Sequence, residues 1–211
     1  MKIAEIFTSI QGESTFCGFP CTFIRVTGCN LRCKYCDTSY AFEEGEELKL
    51  DQILNKVREA GISLVELTGG EPLLQEECYL IIKLLLEEGY TVLLETNGSL
   101  TLEKVDSKVI KIVDIKCPSS GMSAHMDFSN ITYLDQKDEV KFVIGNRGDF
   151  DWSREIIDRY RLIEKCKVLI SPVFSKLEAR EVARWILEER LCVRLQLQLH
   201  KFIWPELNRG V

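Results

Sequence analysis

The sequence predicts an α/β fold: an open, partial (β/α) barrel of mostly parallel strands, with some crossover helices reduced to loops. Three observations predict it. Short runs almost continuous in Val, Ile and Leu recur along the chain, as strands buried on both faces require. Amphipathic segments of helical period separate several of these runs, and alternation of strand with helix implies a parallel sheet. The 211 residues fall short of the roughly 250 that a closed eightfold barrel needs.

In chain order, the β-rich runs are 22–26, 64–68, 91–95, 111–115, 140–144, 168–171 and 193–197. Four helices are expected between them. Asp51 can cap a helix over 52–60, with Ile53, Leu54 and Val57 inward and Gly61 as its stop. Residues 74–88 carry a long apolar face and end at Gly89. Residues 151–164 place Trp152, Ile156, Tyr160 and Ile163 on one stripe, and Ser175 can cap a helix over 176–190 in which Ala179, Val182, Ala183 and Ile186 recur. The alternation is incomplete. Residues 117–138 hold Pro, Gly, Ser and Asn without a helical period, and 99–110 is weak. The acidic run Glu43-Glu44-Gly45-Glu46-Glu47 reads as a solvated loop.

No repeat, low-complexity tract or linker interrupts the chain, so residues 1–211 are expected to form a single domain. The net charge of −6 argues against a broad nucleic-acid-binding face, but a few placed Arg or Lys residues can still bind a small anion. No apolar run approaches the roughly 18–20 residues of a membrane span. Met1-Lys2-Ile3-Ala4-Glu5 has no hydrophobic export segment. A cytoplasmic location is expected.

Nine cysteines are many for such a chain, and an odd number cannot all pair. Without an export signal they point to metal binding, catalysis or burial. Cys17, Cys21, Cys78, Cys117, Cys166 and Cys192 are scattered, and most read as small buried hydrophobes. The other three are concentrated in Cys29-Asn-Leu-Arg-Cys33-Lys-Tyr-Cys36, a C-x₃-C-x₂-C run. Random placement of nine cysteines gives only about 0.02 such runs. Ordinary electron-transfer clusters have four cysteine ligands. Three close thiolates around a [4Fe–4S] cubane leave one iron open, the arrangement a catalytic site needs. A zinc site completed by a distant Cys or His is the structural alternative, although no second knuckle is present and His125 and His200 stand alone.

This triplet after a strand resembles the signature of the radical S-adenosylmethionine superfamily. Tyr35 matches the aromatic residue before the last cysteine. Thr68-Gly69-Gly70-Glu71-Pro72, closing a strand, matches the superfamily's second motif, where glycine lets the backbone approach a ligand. Four further segments resemble the 7-carboxy-7-deazaguanine synthase family, and together they span most of the chain. They are Ser9-Ile10-Gln11-Gly12-Glu13, Phe23-Ile24-Arg25-Val26-Thr27-Gly28-Cys29, Cys36-Asp37-Thr38 and Leu199-His200-Lys201.

The resemblance implies a site. Cys29, Cys33 and Cys36 would ligate the cluster and Thr38 a Mg²⁺ ion, which takes hard oxygen donors. Tyr35, Cys36, Asp37, Gly69, Gly70, Glu71 and Lys116, with Ser171-Pro172-Val173-Phe174, would hold S-adenosylmethionine. Glu71 is expected to accept from its ammonium. Ile10, Gln11, Gly12, Glu13, Arg25, Thr68 and His200 would hold 6-carboxy-5,6,7,8-tetrahydropterin, the Arg25 fork suiting its carboxylate. Glu95 and Asn97 are further candidates on the rim. Asp114-Ile115 departs from the family's Ser-Pro before Lys116, and the run from Phe202 to Val211 extends beyond the usual His-Lys ending. Which of those last residues closes the pocket is left open. The implied reaction is radical abstraction of hydrogen from C6, ring contraction to 7-carboxy-7-deazaguanine and loss of ammonia. It would need an external one-electron reductant such as flavodoxin or ferredoxin, and a homodimer is the family expectation. A glycyl-radical-enzyme activase and a non-catalytic iron–sulfur or zinc module are the alternatives.

Overall fold

The computed structural model describes residues 1–207 and 209–211, and Asn208 of the C-terminal run lies outside them. Its sheet is built from the apolar runs. Strands β1 (Lys2–Ile10), β2 (Pro20–Val26), β3 (Glu46–Glu47), β4 (Leu64–Gly69), β5 (Thr91–Thr96), β6 (Ile110–Asp114), β7 (Glu139–Ile144), β8 (Lys167–Pro172) and β9 (Arg194–Leu195) form one sheet. Their order is β3-β1-β2-β4-β5-β6-β7-β8-β9. From β2 to β9 every pairing is parallel, whereas β1 is antiparallel to both of its neighbours. With β3 and β9 at opposite ends, the sheet is open.

The outer face of the sheet packs on helices α1 (Leu50–Ala60), α2 (Glu77–Glu87), α3 (Arg147–Tyr160), α4 (Leu162–Lys165) and α5 (Ala179–Glu188), and α6 (His200–Ile203) follows β9. The main core lies between these layers, with Ile24, Leu67, Leu94, Phe142 and Ile170 from strands against Ile53, Ile81, Leu85, Phe150 and Val182 from helices. The crossovers β5–β6 and β6–β7 have no α-helix, as the weak and Pro/Gly-rich segments predicted. Their backbone groups need other partners once removed from water. Asn130, buried in the second crossover, supplies three. Its Oδ1 accepts from Leu102 N at 2.8 Å, and its Nδ2 donates to the carbonyls of Leu100 at 2.8 Å and Gly98 at 3.3 Å.

The helix boundaries correct the sequence reading in several places. Asp51 lies inside α1. The start of that helix is closed by Gln52, whose Oε1 accepts from Lys49 N at 2.8 Å, and Gly61 ends it at φ 66° as expected. A 3-10 turn, Pro72–Leu74, precedes α2, leaving Leu74 exposed. Asn146 caps α3, accepting from Asp149 N at 3.0 Å, so this helix starts before residue 151. It stops at Arg161, and Ile163 is exposed on the separate turn α4. Ser175 caps nothing: it sits at φ 61°, and α5 begins at Ala179. The acidic run is exposed, but Glu46 and Glu47 pair with β1 at the sheet edge. Of the scattered cysteines, Cys21, Cys78, Cys117 and Cys166 are buried, Cys17 is half-buried and Cys192 is exposed.

Candidate active site

Side chains of a strand alternate between faces, so the concave face of the sheet is set by parity. It receives Phe23 and Arg25 from β2, Leu64, Glu66 and Thr68 from β4, and Leu93 and Glu95 from β5. Ile112 and Asp114 come from β6, and Lys141 and Val143 from β7. The first residues in each series make an apolar plug of Cys21, Phe23, Leu64, Leu93 and Ile112, with Phe7 stacked on Phe23 at 4.9 Å. Above it, at the C-terminal ends of the strands, opens a cavity of about 570 Å³. That is where ligands bind in parallel α/β folds. Each of these five strands contributes one charged side chain to its wall: Arg25, Glu66, Glu95, Asp114 and Lys141.

The cysteine loop roofs one end. Cys29, Cys33 and Cys36 all line the cavity and are free thiols. Leu31 N donates to Cys29 Sγ at 3.4 Å, and Asn97 Nδ2 lies 3.8 Å from the same sulfur. Burial pushes the Cys33 and Cys36 thiols up, with Asp114, Cys36 and Cys29 adding to it at Cys33 and Asp37 and Cys29 at Cys36. Three soft donors sharing one wall, with N–H groups aimed at sulfur, suit a cluster with three cysteine ligands. The loop itself is held from below. Gly70 packs on Gly28, and Glu71 N donates to Gly28 O at 2.8 Å. Arg32 turns back to the carbonyls of Cys29 and Leu31 at 2.7 and 2.8 Å and lies over the Phe42 ring at 4.2 Å. The Tyr35 hydroxyl donates to Val143 O at 2.9 Å, tying the loop across to β7.

Glu71 corrects the sequence reading. Its carboxylate is fully buried and does not line the cavity. It accepts from Asn97 N at 2.7 Å, Leu73 N at 3.0 Å and the Thr96 hydroxyl at 2.8 Å. With those bonds made, it fastens the end of β5 beneath the Gly-Gly turn instead of facing a cofactor ammonium. Ser171 and Pro172 are likewise buried in β8 away from the cavity, whereas Val173 and Phe174 reach it. Tyr35, Asp37, Gly69, Gly70 and Lys116 line it as well. Lys116 pairs with Asp114 at 2.9 Å, and Asp114 Oδ1 is buried without a partner among the described residues.

Another part of the lining is polar. Ile10, Gln11, Gly12, Glu13, Arg25, Thr68 and His200 all meet there, together with Thr38. Arg25 Nε donates to Glu5 Oε1 at 2.7 Å, and the Tyr40 hydroxyl donates to the same oxygen at 2.6 Å. This leaves the Nη ends of the fork unpaired among the described residues. Gln11 is more committed than its sequence suggests. Its Oε1 accepts from Glu13 N at 2.9 Å and its Nε2 donates to Glu66 Oε2. The Thr68 hydroxyl donates to Glu95 Oε2 at 3.1 Å, and the Thr38 hydroxyl to Asp37 Oδ1 at 3.0 Å.

The C-terminal segment closes this part. Leu199 N donates to Gly12 O at 2.9 Å, Gln198 Nε2 to Glu13 Oε1 at 2.9 Å, and Lys201 Nζ to Asp37 Oδ2 at 2.7 Å. Burial would push the Asp37 carboxyl up, but the Lys201 ammonium together with hydrogen bonds from Thr38 and Gln198 outweighs it and holds Asp37 well below the usual carboxylate range. Burial pulls His200 down from its ordinary value. Beyond α6, Trp204, Pro205, Leu207 and Val211 also line the cavity, and Gly210 N donates to Glu5 Oε2 at 3.2 Å.

Sequence reasoning missed Glu66, Lys141, Tyr40, Phe42, Gln198 and Trp204. For Glu66 and Lys141 a signal was present: each is a lone charge inside an apolar run, at the parity of Arg25 and Glu95.

Comparison with known proteins agrees with this architecture. The sequence model of the Radical SAM superfamily matches residues 23–173. A protein of Chlorobaculum tepidum named 7-carboxy-7-deazaguanine synthase is 44% identical over 214 residues, covering 100% of this chain and 97% of the relative. The Koribacter versatilis protein of the same name is 43% identical and covers 100% of both chains. Among solved structures, QueE from Escherichia coli superposes with a TM-score of 0.76 at 22% identity, covering 94% of each chain.

Proposed function

We propose a division of labour in this cavity from one premise: the chain belongs to the 7-carboxy-7-deazaguanine synthase family of radical S-adenosylmethionine enzymes. Its reaction is conversion of 6-carboxy-5,6,7,8-tetrahydropterin to 7-carboxy-7-deazaguanine, a ring contraction with loss of ammonia in 7-deazapurine (queuosine and archaeosine) biosynthesis. The observation that carries the assignment is continuity. One cavity is lined both by three free thiols and by an arginine fork and a carboxylate, so cofactor and substrate can share a single space.

Cys29, Cys33 and Cys36 would hold the [4Fe–4S] cluster. When bound, the cluster and S-adenosylmethionine supply a carbon-centred radical able to take hydrogen from C6 of the pterin. The rest is done by the chain's own groups. Tyr35, Asp37, Gly69, Gly70, Lys116, Val173 and Phe174 form the cofactor's walls. The Nη ends of Arg25, held from behind by Glu5, take the substrate carboxylate as a planar fork. The Thr38 hydroxyl, a hard donor on the same wall, suits Mg²⁺ beside that carboxylate. Glu13, the backbone of Ile10 and Gly12, Thr68 and His200 surround the ring, with Gln11 setting the position of Glu13. Residues beyond Lys201 cover the opening and exclude water. We further assign residues 1–211 to a single radical enzyme domain, with a low-potential carrier such as flavodoxin or ferredoxin as reductant and a homodimer as the assembly.

The test is anaerobic reconstitution with iron and sulfide, then dithionite, S-adenosylmethionine, Mg²⁺ and the pterin, with product read by mass. Product from wild type and none from Cys33→Ala is the expected result. Formation of 5′-deoxyadenosine with intact pterin would refute the substrate. Absence of both, with the cluster in place, would refute the enzyme assignment.

A further inference from the structure

Lys141 is an inward-facing charge that the reaction above does not use. Its side chain is 5% exposed. The ammonium donates to Glu13 Oε2 at 2.8 Å and to Glu95 Oε1, and lies 3.5 Å from Asp114 Oδ2. These carboxylates come from the N-terminal loop, β5 and β6, so one cation ties three separate segments together. The remaining oxygens of Glu13 and Glu95 are fixed too, by Gln198 and by Thr68. A fourth carboxyl, Glu66 of β4, borders the same group through Gln11. Burial pushes Glu13 up, yet Lys141, joined by the Gln198 hydrogen bond and by His200, keeps this carboxyl below its ordinary value.

We propose that Lys141 is a positioning residue for the substrate ring, holding the Glu13 and Glu95 carboxylates as oriented acceptors for the ring's adjacent N–H groups. This rests on the pterin reading given above. The 2-amino-4-oxopyrimidine edge carries N–H donors on neighbouring atoms, which match a carboxylate much as a guanidinium does. Arg25 does not duplicate the role, because its Nε is bonded to Glu5 and its Nη ends are assigned to the substrate carboxylate. Without Lys141, Asp114 keeps Lys116 as a partner, but Glu13 and Glu95 lose the ammonium that stands between them. Glu13 then binds a proton and presents a donor where the substrate also donates.

The experiment uses the cluster-loaded chain with Lys141→Met and Lys141→Arg. KM for the pterin, kcat and substrate-independent 5′-deoxyadenosine formation are measured at about pH 7 and about pH 9. For the Met variant, KM should rise at least about 30-fold at the lower pH and recover at least about fivefold at the higher, as Glu13 loses its proton. Cofactor cleavage without substrate should stay within about threefold of wild type. Glu66 of β4 and His200 of α6 act on Glu13 directly, Glu95 of β5 and Asp114 of β6 meet it across the Lys141 ammonium, and Arg25 of β2 and Lys116 line the same cavity. His200, pulled down by burial, is neutral throughout this window, and Arg25 is cationic throughout. Glu66 is common to wild type and variant, so the wild-type profile controls for it.

Lys141→Arg keeps the charge with a wider head. It should raise KM less than Met does, with no pH recovery, and it carries the test if the Met variant does not fold. Unchanged KM in the Arg variant, or equal loss of product and of substrate-independent cleavage in either variant, overturns the proposal. Wild type that cleaves the cofactor but leaves the pterin intact overturns the substrate reading and this inference together. Wild-type turnover with unaffected Lys141 variants overturns the inference alone.

Discussion

Gly70 is where the structure makes its sharpest quantitative demand. A Cβ at this position would stand 1.9 Å from the carbonyl oxygen of Gly28, 2.5 Å from its carbonyl carbon and 3.1 Å from Cys29 Cβ. A relaxed carbon–oxygen contact needs about 3.3 Å, so the two segments must part by about 1.4 Å. The main obstruction is backbone and cannot swing aside as a long side chain would. Gly70 is not among the residues at positive φ, so the effect of Gly70→Ala is steric and not conformational. Separation strains the bonds from Glu71 N to Gly28 O at 2.8 Å and from Gly70 N to Val26 O at 3.2 Å. Losing both costs about 1 kcal/mol each, and overpacking adds about 1–3 kcal/mol. A total of about 3–5 kcal/mol corresponds to a fall in Tm of roughly 6–20 °C for a chain of this size. Because the displaced atoms lead directly into Cys29, reconstituted iron content should fall along with Tm, and 5′-deoxyadenosine formation by at least about 100-fold. Gly61→Ala is the control. Gly61 sits at φ 66° with nothing within 4 Å of a Cβ, so that variant should lose about 1 kcal/mol and keep its iron. A Gly70→Ala protein with wild-type Tm and full iron content would refute the reasoning.

Asp138→Ala should cost about 3–5 kcal/mol, read as a drop in Tm or urea midpoint. It strands the buried Lys111 ammonium, 2.9 Å away, together with the N–H groups of Lys111 and Asp135, and a loss under about 1 kcal/mol would contradict that. Glu66→Gln tests a buried acid that burial, and then the charge of Glu95, pushes well above its ordinary value. A carboxyl raised on folding contributes stability that is complete below its unfolded value of about 4.3 and is lost as pH rises toward the folded one. Glutamine mimics the protonated form, so the Tm advantage of Glu66→Gln should grow from about pH 5 to about pH 8, and a constant difference would count against a neutral Glu66. Lys201→Ala removes the ion pair between α6 and Asp37. KM for the pterin should rise roughly 3–10-fold while Tm moves by no more than about 2–3 °C, because a partly exposed pair contributes at most about 1 kcal/mol. The reverse pattern would make the contact structural and not a closure of the site.

The parallel strands were legible because burial on both faces leaves a local record: runs of Val, Ile and Leu that need no knowledge of their neighbours. The two helix-free crossovers were legible for the same reason, since the absence of period is local. β1 was not. Lys2–Ile10 mixes Lys, Glu, Thr and Ser with its apolar residues. It becomes a strand through antiparallel pairing with β2 and the stacking of Phe7 on Phe23, neither of which a window of sequence contains. Glu71 went astray by the same route. Its place after two glycines suggested a cofactor ligand, but its direction is set by Thr96 and Asn97, some 25 residues further along. Helix starts failed where a side chain other than the expected cap closed the first turn, as Gln52 does for α1.

Parity links what was readable to what was not. A charge inside a strand buried on both faces is tolerated only when it is paired or when it faces a polar space. Arg25, Glu66, Glu95, Asp114 and Lys141 share the inward face and line one cavity, whereas Lys111, of the opposite parity on β6, is matched by the buried Asp138 away from it. The sequence thus records which strands carry a buried charge but not which charges meet, because that depends on the register of neighbouring strands. Register places Glu66 beside Leu93 and Asp114 beside Lys141, and only then does one lysine find three carboxylates within reach. Chemistry that sits in a contiguous loop, such as the cysteine triplet, is therefore readable from sequence. Chemistry assembled across strands, such as the group around Lys141, emerges only once the sheet is closed enough to bring the inward residues together.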